Sequence, residues 1–424
     1  MSRSGLSTIL RLSQGAQERL IAGARDGEPV RGLTHGFYKY PACFSPAFVR
    51  AAIETFTKPG DLVLDPHVGG GTTLVEARAS GREAVGVDIS ALAEFVANVK
   101  CTVFSEAELT TLEAWAVDLP NSIDIRRPSV CFDRYAEQGY YKHLGDPSRW
   151  RLRKAIEQVL VRAICVGSPR LESFGRCVVL RAAQWALDGR SKHTGVEEFR
   201  HGLATIAKEM VEGAREFRAA VQKAGRWPVT VLNRSAAGLE NDFRLREMRT
   251  PRLVVTSPPY PGVHVLYHRW QVDGRKEAPV PFMIANRLDG AGASYYTMGD
   301  RKYPELKTYF ENIHATMSSV AKIAGPETII VQMVAFSDPD WQLPRYLETM
   351  QEAGLAELVL PSLKGQRDGR LWRSVPGRRW YSDQRGETPG SNEVVLIHRK
   401  ASAAPAHRGV RLPSRTSSEA SAEA

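Results

Sequence analysis

Short apolar segments alternate with helical segments along this chain, and this alternation constrains the fold more than any other feature. The segments that predict strands are 62–64, 83–89, 228–232, 253–256, 328–333, 357–360 and 393–398. Helical periodicity falls between several of them, for example at 309–323 and 343–353. Strands that alternate with helices form a mostly parallel sheet covered on both faces. We therefore predict an α/β fold that binds its ligands beyond the carboxyl ends of the strands.

The interval 101–226 breaks this alternation. No strand is predicted there, and 150–164 and 197–224 have helical periodicity. Lys and Arg outnumber Asp and Glu from 140 to 226. The interval is interpreted as a mainly helical insertion in a sheet domain made of 31–100 and 227–400. A solvated helical face without a partner is the alternative.

The two ends of the chain are predicted to contribute little to the core. Residues 1–30 are polar and contain glycine, and they are interpreted as a flexible N-terminal lead-in with a short helix. Residues 401–424 are rich in Ala, Ser, Pro and Arg, so burial cannot offset the entropy of ordering them. We expect this tail to be disordered.

The overall charge is positive, with 57 Lys and Arg against 47 Asp and Glu. Such a surplus favours a polyanionic partner, although a basic protein without a nucleic-acid role is equally compatible with it. The five cysteines are scattered without a CxxC pair, which predicts reduced thiols and no metal site. No apolar run approaches the roughly 20 residues that span a bilayer, and we expect a cytoplasmic protein without a membrane partner.

A glycine-rich turn follows the first predicted strand of the sheet domain. The strand ends at Asp65, and Gly69, Gly70 and Gly71 precede Thr72 and Thr73, either of which can cap the next helix. No Lys follows the last glycine, so this is not the phosphate loop of nucleotide triphosphatases.

The next strand ends in a second acidic residue, Asp88, which is followed by Ile89. In doubly wound folds that bind nucleosides, a carboxylate at this place accepts hydrogen bonds from ribose hydroxyls. A nicotinamide-dependent dehydrogenase and a glycine turn without any ligand remain alternatives at this point.

The tetrapeptide Ser257-Pro258-Pro259-Tyr260 follows the strand that closes at Thr256. Consecutive prolines end a strand and restrict the backbone, so the Pro258 carbonyl has a fixed direction. A serine hydroxyl, a fixed carbonyl and an aromatic face suit a planar base that bears an amino group. A turn with an incidental tyrosine is the alternative.

Together, the segment Asp65-PHVGGGT-Thr73 and the tetrapeptide resemble the DNA amino-methyltransferases, which modify cytosine N4 or adenine N6. The resemblance implies a Rossmann-like, S-adenosylmethionine-dependent methyltransferase sheet. The segment from His35 to Ala47 is similar to the part of that family that also touches the cofactor. The residues that this resemblance assigns to the cofactor are Tyr40, Pro41, Asp65, His67, Gly69, Gly71, Thr72, Thr73, Asp88 and Ile89.

The chain departs from the family pattern at several positions. His67 and Val68 stand where the family usually has Phe and Cys, and Gly70 stands where it has Ser. The acidic residue that follows the third strand is missing, and Ser235 is the nearest match to it. The departures at His67, Val68 and Gly70 bear on full activity, and the one at Ser235 bears on recognition of the cofactor's adenine.

The resemblance implies direct transfer of the sulfonium methyl group to the amino nitrogen of a base flipped out of double-stranded DNA. Ser257 and the Pro258 carbonyl accept from the amino group, Pro259 keeps the turn rigid, and Tyr260 stacks on the base. The Ser-first motif resembles the cytosine-N4 branch, and adenine N6 is the alternative. An RNA base amino-methyltransferase and a decayed DNA-binding protein are further alternatives. No cysteine follows a proline, which argues against the cytosine-C5 route.

Two segments after the tetrapeptide mix basic and aromatic residues, as phosphate and base-edge readers do. The predicted DNA-binding residues are Arg269, Trp270, Tyr295, Arg373, Arg378 and Arg379. The insertion 101–226 is the candidate target-recognition element. The sequence leaves open whether a restriction endonuclease partner exists and whether the protein is oligomeric.

The cofactor assignment predicts that Asp88→Ala weakens S-adenosylmethionine binding, because the ribose hydroxyls lose a charged acceptor. A hydrogen bond to a charged group contributes about 1.5–3 kcal/mol, so the Kd should rise by about 10- to 100-fold. Isothermal titration calorimetry measures this change. Tyr260→Ala serves as the comparison, since it should impair methyl transfer and leave cofactor affinity nearly intact. Equal cofactor affinities of parent and Asp88→Ala would contradict the assignment.

Overall fold

The computed structural model describes residues 8–28, 30–39, 44–145, 147, 149–190, 192–262, 270–272, 276–286, 298–299, 305–363, 368–374 and 392–401. The strands of this part are β1 (Thr8–Ile9), β2 (Leu62–Asp65), β3 (Glu83–Asp88), β4 (Val229–Asn233), β5 (Leu253–Thr256), β6 (Trp270–Val272), β7 (Lys276–Ala278), β8 (Ile329–Ala335), β9 (Leu355–Val359), β10 (Leu371–Ser374) and β11 (Asn392–Lys400). The helices are α1 (Gln14–Arg25), α2 (Pro46–Phe56), α3 (Thr72–Ala79), α4 (Ala91–Cys101), α5 (Glu106–Asp118), α6 (Phe132–Glu137), α7 (Trp150–Ile164), α8 (Pro169–Leu187), α9 (Val196–Ala224), α10 (Val280–Ala285), α11 (Lys307–Ile323) and α12 (Pro339–Glu352).

Nine of these strands form one sheet in the order β1-β9-β11-β8-β5-β2-β3-β4, with β10 paired to β11. The central pairs β4 with β3, β3 with β2, β2 with β5 and β5 with β8 are all parallel. Strand β11 runs antiparallel to both β8 and β9. The predicted α/β fold with a mostly parallel sheet is confirmed.

The central strands form because short runs of Val, Leu and Ile are buried on both faces of the sheet. Each polar residue that ends such a run lies at the carboxyl edge, namely Asp65, Asp88 and Thr256. All seven segments predicted as strands are confirmed, with ends shifted by a few residues. The edge where a ligand would bind is thereby defined by local sequence.

Helices cover both faces of the sheet and create two apolar layers. Helices α1, α2 and α3 pack on one face around Phe48, Ile53 and Leu74. Helices α11 and α12 pack on the other face around Ile313 and Tyr346. The two layers hold the strands in place from both sides, as expected for a doubly wound sheet.

The chain between β3 and β4 is helical, as predicted. Helices α4, α5, α7, α8 and α9 share a third apolar cluster with β6 and α10. Several surface arginines in this region pair with carboxylates, for example Arg162 with Asp118 and Arg215 with Glu113. The division of the chain at 101 and 226 stays a prediction, because the cluster also includes residues on both sides of it.

The N-terminal segment differs from the flexible lead-in predicted for 1–30. Strand β1 pairs in parallel with β9, and the Ser13 hydroxyl caps α1 by accepting from the Ala16 amide. Leu20 and Ala24 of α1 are buried in the layer beneath the sheet. The short helix predicted within 1–30 is α1, but this part is packed against the sheet and is not a flexible lead-in, because a few apolar residues at helical spacing are buried despite the polar composition.

The predicted disordered tail 401–424 lies outside the described residues except for Ala401. Among the residues that the structure does describe, no helix has the length and apolar composition required to cross a bilayer.

Candidate active site

The glycine turn after β2 is held by the end of the neighbouring strand β3. Gly69 and Gly71 have φ angles of 45° and 78°, a backbone region that favours glycine. A Cβ on Gly71 would lie 3.1 Å from the Ala97 backbone of α4. The Asp88 carboxylate accepts from the Gly69 amide at 2.9 Å and from the Ser90 amide at 2.8 Å. The second acidic residue therefore shapes the loop.

A buried lysine supports the loop from behind. The Lys100 ammonium of α4 donates to the Gly70 carbonyl at 2.8 Å, and Lys100 is almost wholly buried. This contact satisfies a carbonyl that the turn exposes. Lys100 was not predicted from the sequence, although a single lysine at the end of the largely apolar helix ALAEFVANVKC is a signal for it.

The turn lies directly beside the tetrapeptide. Strands β2 and β5 are parallel neighbours, and the Thr256 hydroxyl donates to Asp65 Oδ1 at 2.8 Å. His67 Nδ1 lies 3.3 Å from the same Thr256 oxygen. The structure therefore brings the end of β2, the glycine turn and the start of Ser257-Pro258-Pro259-Tyr260 together at one edge.

His67 has a defined tautomer because the hydrogens of its neighbours are already assigned. Thr256 donates its only hydroxyl hydrogen to Asp65, so the hydrogen between Thr256 and His67 belongs to His67 Nδ1. Burial lowers the pKa of His67 to about 3, and the ring stays neutral at ordinary pH. Within the described part of the chain, His67 Nε2 is a buried acceptor without a hydrogen-bond donor.

Two carboxylates at this edge have raised pKa values. Burial raises the pKa of Asp65 to about 6 and that of Asp88 to about 6. Buried carboxylates of this kind are common at functional sites, where a ligand offsets their cost. The edge is therefore suited to a ligand that carries hydrogen-bond donors or positive charge.

The tetrapeptide is fixed by hydrogen bonds that the sequence did not predict. The Ser257 hydroxyl lies 2.9 Å from the Tyr260 hydroxyl, which donates to Glu393 Oε1 at 2.6 Å. The Tyr309 hydroxyl of α11 donates to the Pro259 carbonyl at 2.7 Å. Tyr260 is 7% exposed and packs in the apolar layer of α11 and α12. Its stacking on a base stays a prediction.

The segment that precedes the predicted cofactor residues Tyr40 and Pro41 is anchored on two sides. His35 Nε2 lies 2.7 Å from Glu76 of α3, and Gln184 of α8 bonds to both the amide and the carbonyl of Lys39. Tyr40 and Pro41 themselves lie outside the described residues.

Other predicted cofactor residues have varied positions. Thr72 and Thr73 are buried at the start of α3, but neither caps it, because Gly71 occupies the N-cap position in a left-handed conformation. This part of the prediction was wrong. Ile89 is half-buried after β3. Ser235 is exposed just after β4, and its hydroxyl accepts from the Ala237 amide.

Two predicted DNA-binding residues are in the protein interior, which corrects the prediction. Trp270 is 1% exposed and donates its indole N–H to the Tyr38 hydroxyl at 2.9 Å. Arg373 donates to Glu393 at 2.7 Å, and only 8% of its side chain is exposed. The Trp270 indole N–H and the Arg373 guanidinium, which were predicted to contact DNA, are instead bonded to other parts of the protein. Arg269, Tyr295, Arg378 and Arg379 lie outside the described residues.

A parallel sheet with a glycine turn after one central strand and an acid after the next is typical of Rossmann-like folds that bind nucleosides. Comparisons with known proteins make this class more specific. The profile of a family described as DNA methylase, N6_N4_Mtase, matches residues 12–97. This match includes the glycine turn and Asp88.

Type II methyltransferases are similar to parts of the chain. M.MjaII of Methanocaldococcus jannaschii is 36% identical over 66 residues, which cover 16% of this chain and 12% of that protein. M.MvaI of Kocuria varians is 26% identical over 256 residues, which cover 54% of each chain. M.BsoBI of Geobacillus stearothermophilus is 34% identical over 71 residues, covering 16% of this chain and 14% of that protein. The chain therefore spans about half or less of the length of these relatives.

Solved structures also match. The rRNA methyltransferase aviRa from Streptomyces viridochromogenes is 12% identical with a TM-score of 0.33, over 86% of this chain and 89% of that chain. TrmN from Thermus thermophilus is 11% identical with a TM-score of 0.29, over 84% of this chain and 49% of that chain. The fold assignment rests on the strand order. The profile match to residues 12–97 and the similarity of parts of the chain to Type II methyltransferases support a DNA amino-methyltransferase family.

The raised pKa of Asp65 predicts a pH-dependent gain of stability in Asp65→Asn. Above pH 7 the folded parent carries an ionised carboxylate that burial disfavours, and below about pH 4 both the folded and unfolded states are protonated. The ligand-free variant should be more stable than the parent above pH 7, by at most about 3 kcal/mol.

The gain should shrink as the pH falls from 6 to 4, and the amide oxygen still accepts from Thr256. Thermal unfolding of both proteins from pH 4 to pH 8 measures this difference. A gain that is the same at every pH would contradict a raised carboxyl pKa.

Proposed function

We propose that the chain transfers the methyl group of S-adenosylmethionine to the exocyclic amino group of a base in double-stranded DNA. The observation that carries this proposal is the hydrogen bond from Thr256 to Asp65. It joins the glycine turn to Ser257-Pro258-Pro259-Tyr260, so a cofactor on one and a base on the other would share one edge of the sheet.

The residues at this edge fit S-adenosylmethionine. Gly69 and Gly71 permit close approach of a ligand to the backbone, and Asp88 offers carboxylate lone pairs beside them. His67 Nε2 is a buried acceptor, which suits a ligand N–H or hydroxyl group. When bound, S-adenosylmethionine supplies an electrophilic methyl group on a positively charged sulfur.

The tetrapeptide supports the chemistry at the amino group. Ser257 Oγ and the Pro258 carbonyl would accept from the two amino hydrogens. These contacts strengthen as the nitrogen becomes tetrahedral and positively charged, which lowers the barrier more than it stabilises the bound base. The contact from Tyr309 to the Pro259 carbonyl keeps the double-proline turn in one position.

Cytosine N4 is the preferred target, because the motif begins with Ser. Adenine N6 is the second candidate within the same family. A loss of catalysis is a weaker candidate, since Asp65, Asp88 and the tetrapeptide are all intact. An RNA base is also a weaker candidate, because the matching family profile is described as DNA methylase. A restriction endonuclease partner rests on the resemblance alone.

The helical insertion is the proposed DNA-reading element. At the start of α7, Arg151 lies over the Trp150 ring at 5.4 Å and Lys154 lies at 6.0 Å from it. Trp150 is 37% exposed, and Arg151 is exposed. Basic side chains beside an exposed aromatic ring suit contacts with phosphates and unstacked bases.

Methyl transfer from tritium-labelled S-adenosylmethionine to double-stranded DNA tests the proposed function. Nucleoside analysis should recover the label in N4-methylcytosine. Ser257→Ala should lower kcat by about 10²- to 10³-fold, because one contact to the developing charge is lost. Its cofactor affinity, measured by calorimetry, should stay within twofold of the parent.

Ser318→Ala is the matched control. Like Ser257, Ser318 is a half-buried serine, but it lies on α11 and outside the tetrapeptide. It should transfer methyl groups at the parental rate. Label in N6-methyladenine would shift the proposed target base, and label in RNA alone would overturn the DNA substrate. Parental turnover of Ser257→Ala would overturn the role of the serine.

Binding at different salt concentrations tests the role of α7. If Arg151 contacts a phosphate, Arg151→Ala should weaken binding to every DNA sequence and reduce the slope of log K against log salt by about 1. Arg162→Ala changes an arginine on the same helix that pairs with Asp118 at 2.8 Å. Fluorescence anisotropy with a DNA duplex should show no change of slope for this control. Equal slopes for both variants would contradict the proposed contact.

A further inference from the structure

A buried carboxylate lies behind the tetrapeptide. Glu393 is 1% exposed and stands near the start of β11. Because β11 runs antiparallel to β8, its beginning lies at the carboxyl edge of the parallel strands, where Glu393 pairs with Ala335. The last strand thereby delivers an acid to the candidate site from a position that is distant in sequence.

Arg373 holds this carboxylate in place. Arg373 of β10 is directly opposite Glu393 in the strand register, and its Nε and Nη2 atoms both lie 2.7 Å from Glu393 Oε2. Both side chains are buried, and Arg373 also donates to the Ala24 carbonyl. A guanidinium this close keeps the carboxylate ionised, so that it acts as an acceptor only.

The charge of Glu393 determines which group donates in each hydrogen bond between Glu393, Tyr260 and Ser257. An ionised Glu393 has no hydrogen to give, so the 2.6 Å contact uses the single phenol hydrogen of Tyr260. The 2.9 Å contact between Ser257 and Tyr260 must then use the hydroxyl hydrogen of Ser257. The Ser257 oxygen keeps its lone pairs for another donor.

We propose that Glu393 is a positioning residue, which acts through Tyr260 to fix the Ser257 hydroxyl as a hydrogen-bond acceptor for the amino group of the base. The inference rests on the proposed function and adds a residue to it. A serine hydroxyl that rotates freely can point its hydrogen at the amino group and oppose it. The chain Glu393–Tyr260–Ser257 prevents that orientation before a base arrives, which is preorganisation in the sense of catalysis by fixed dipoles.

The amide variant Glu393→Gln should reverse the direction of the hydrogen bonds between residue 393, Tyr260 and Ser257. Its amide oxygen is the acceptor that Arg373 requires, so its NH₂ group faces Tyr260 and donates to it. Tyr260 then donates to Ser257, and the Ser257 hydrogen points toward the base. We expect kcat to fall at least tenfold, with the cofactor Kd within twofold of the parent.

A double-mutant cycle separates positioning from a purely structural role. In a Ser257→Ala background the hydroxyl is absent, so Glu393→Gln should lower kcat no further, whereas independent losses would multiply. In a Tyr260→Phe background the reversed chain is interrupted. The double variant with Glu393→Gln should therefore be faster than Glu393→Gln alone. Multiplied losses in both backgrounds would overturn the proposal.

Glu357→Gln is the matched control. Glu357 of β9 also carries a paired arginine, with Arg370 donating at 2.7 Å and 2.9 Å. This variant breaks a Glu–Arg pair in the same sheet without touching the tetrapeptide. Its kcat should stay at the parental value even if its melting temperature falls, and a loss of kcat equal to that of Glu393→Gln would overturn the positioning role.

A spectroscopic measurement keeps this test separate from the proposed function. In protein labelled with ¹³C at tyrosine Cζ, the Tyr260 resonance is the one that Tyr260→Phe removes. Glu393→Gln should shift that resonance in the absence of any substrate. An unchanged resonance would contradict the proposed hydrogen bonds from Ser257 to Tyr260 and from Tyr260 to Glu393. If the parent protein methylates no nucleic acid, the proposed function is overturned even if the resonance shifts. The hydrogen bonds from Glu393 through Tyr260 to Ser257 would then have no catalytic role.

Discussion

The hydrogen bond from the Thr256 hydroxyl to Asp65 is the contact on which the candidate site depends. It links the ends of two neighbouring parallel strands that carry different motifs, and its length of 2.8 Å leaves little freedom between them. The register of β2 against β5 puts Leu64 beside Val254, so the two strand ends emerge at the same level. A shift of one residue in this register would turn the side chains of the shifted strand to the opposite face of the sheet and separate the two polar groups.

The same contact also decides the protonation of its neighbours. Because Thr256 gives its hydrogen to Asp65, His67 must give its own to Thr256, and its other nitrogen becomes an acceptor. Burial that holds His67 neutral also raises the pKa of Asp65. The site is therefore costly without a ligand, since it combines a buried carboxylate with a buried acceptor that has no donor among the described residues.

The parts of the site that could be predicted from sequence are those made by one short segment. The glycine turn, Asp88 and the tetrapeptide each follow a buried strand, so their place at the carboxyl edge follows from local pattern and parallel pairing. Glu393, Trp270 and Arg373 could not be assigned in this way. Their roles depend on which strand pairs with which, and on whether a loop turns a side chain inward.

Arg373 illustrates the difference most directly. In sequence it stands among arginines and aromatic residues, a composition typical of a DNA-contacting loop. In the structure it is opposite Glu393 in the β10–β11 pair, and the buried carboxylate binds its guanidinium. This pairing exists because the final strand is antiparallel and begins at the edge of the sheet that carries the candidate site. No local sequence pattern predicts it.

The segment before Tyr40 connects the sheet to the helical insertion. His35 contacts Glu76 of α3, which begins at the glycine turn, and Lys39 bonds through its backbone to Gln184 of α8. Trp270, which follows the tetrapeptide in sequence, donates to Tyr38 of the same segment. The His35–Glu76 and Trp270–Tyr38 contacts are buried and the Lys39–Gln184 contacts are partly buried, so this segment is held between α3 and α8. The helices between β3 and β4 are thus linked to the helix of the glycine turn through one short segment, and a displacement of α8 away from this segment would break the hydrogen bonds of Gln184 to the Lys39 backbone.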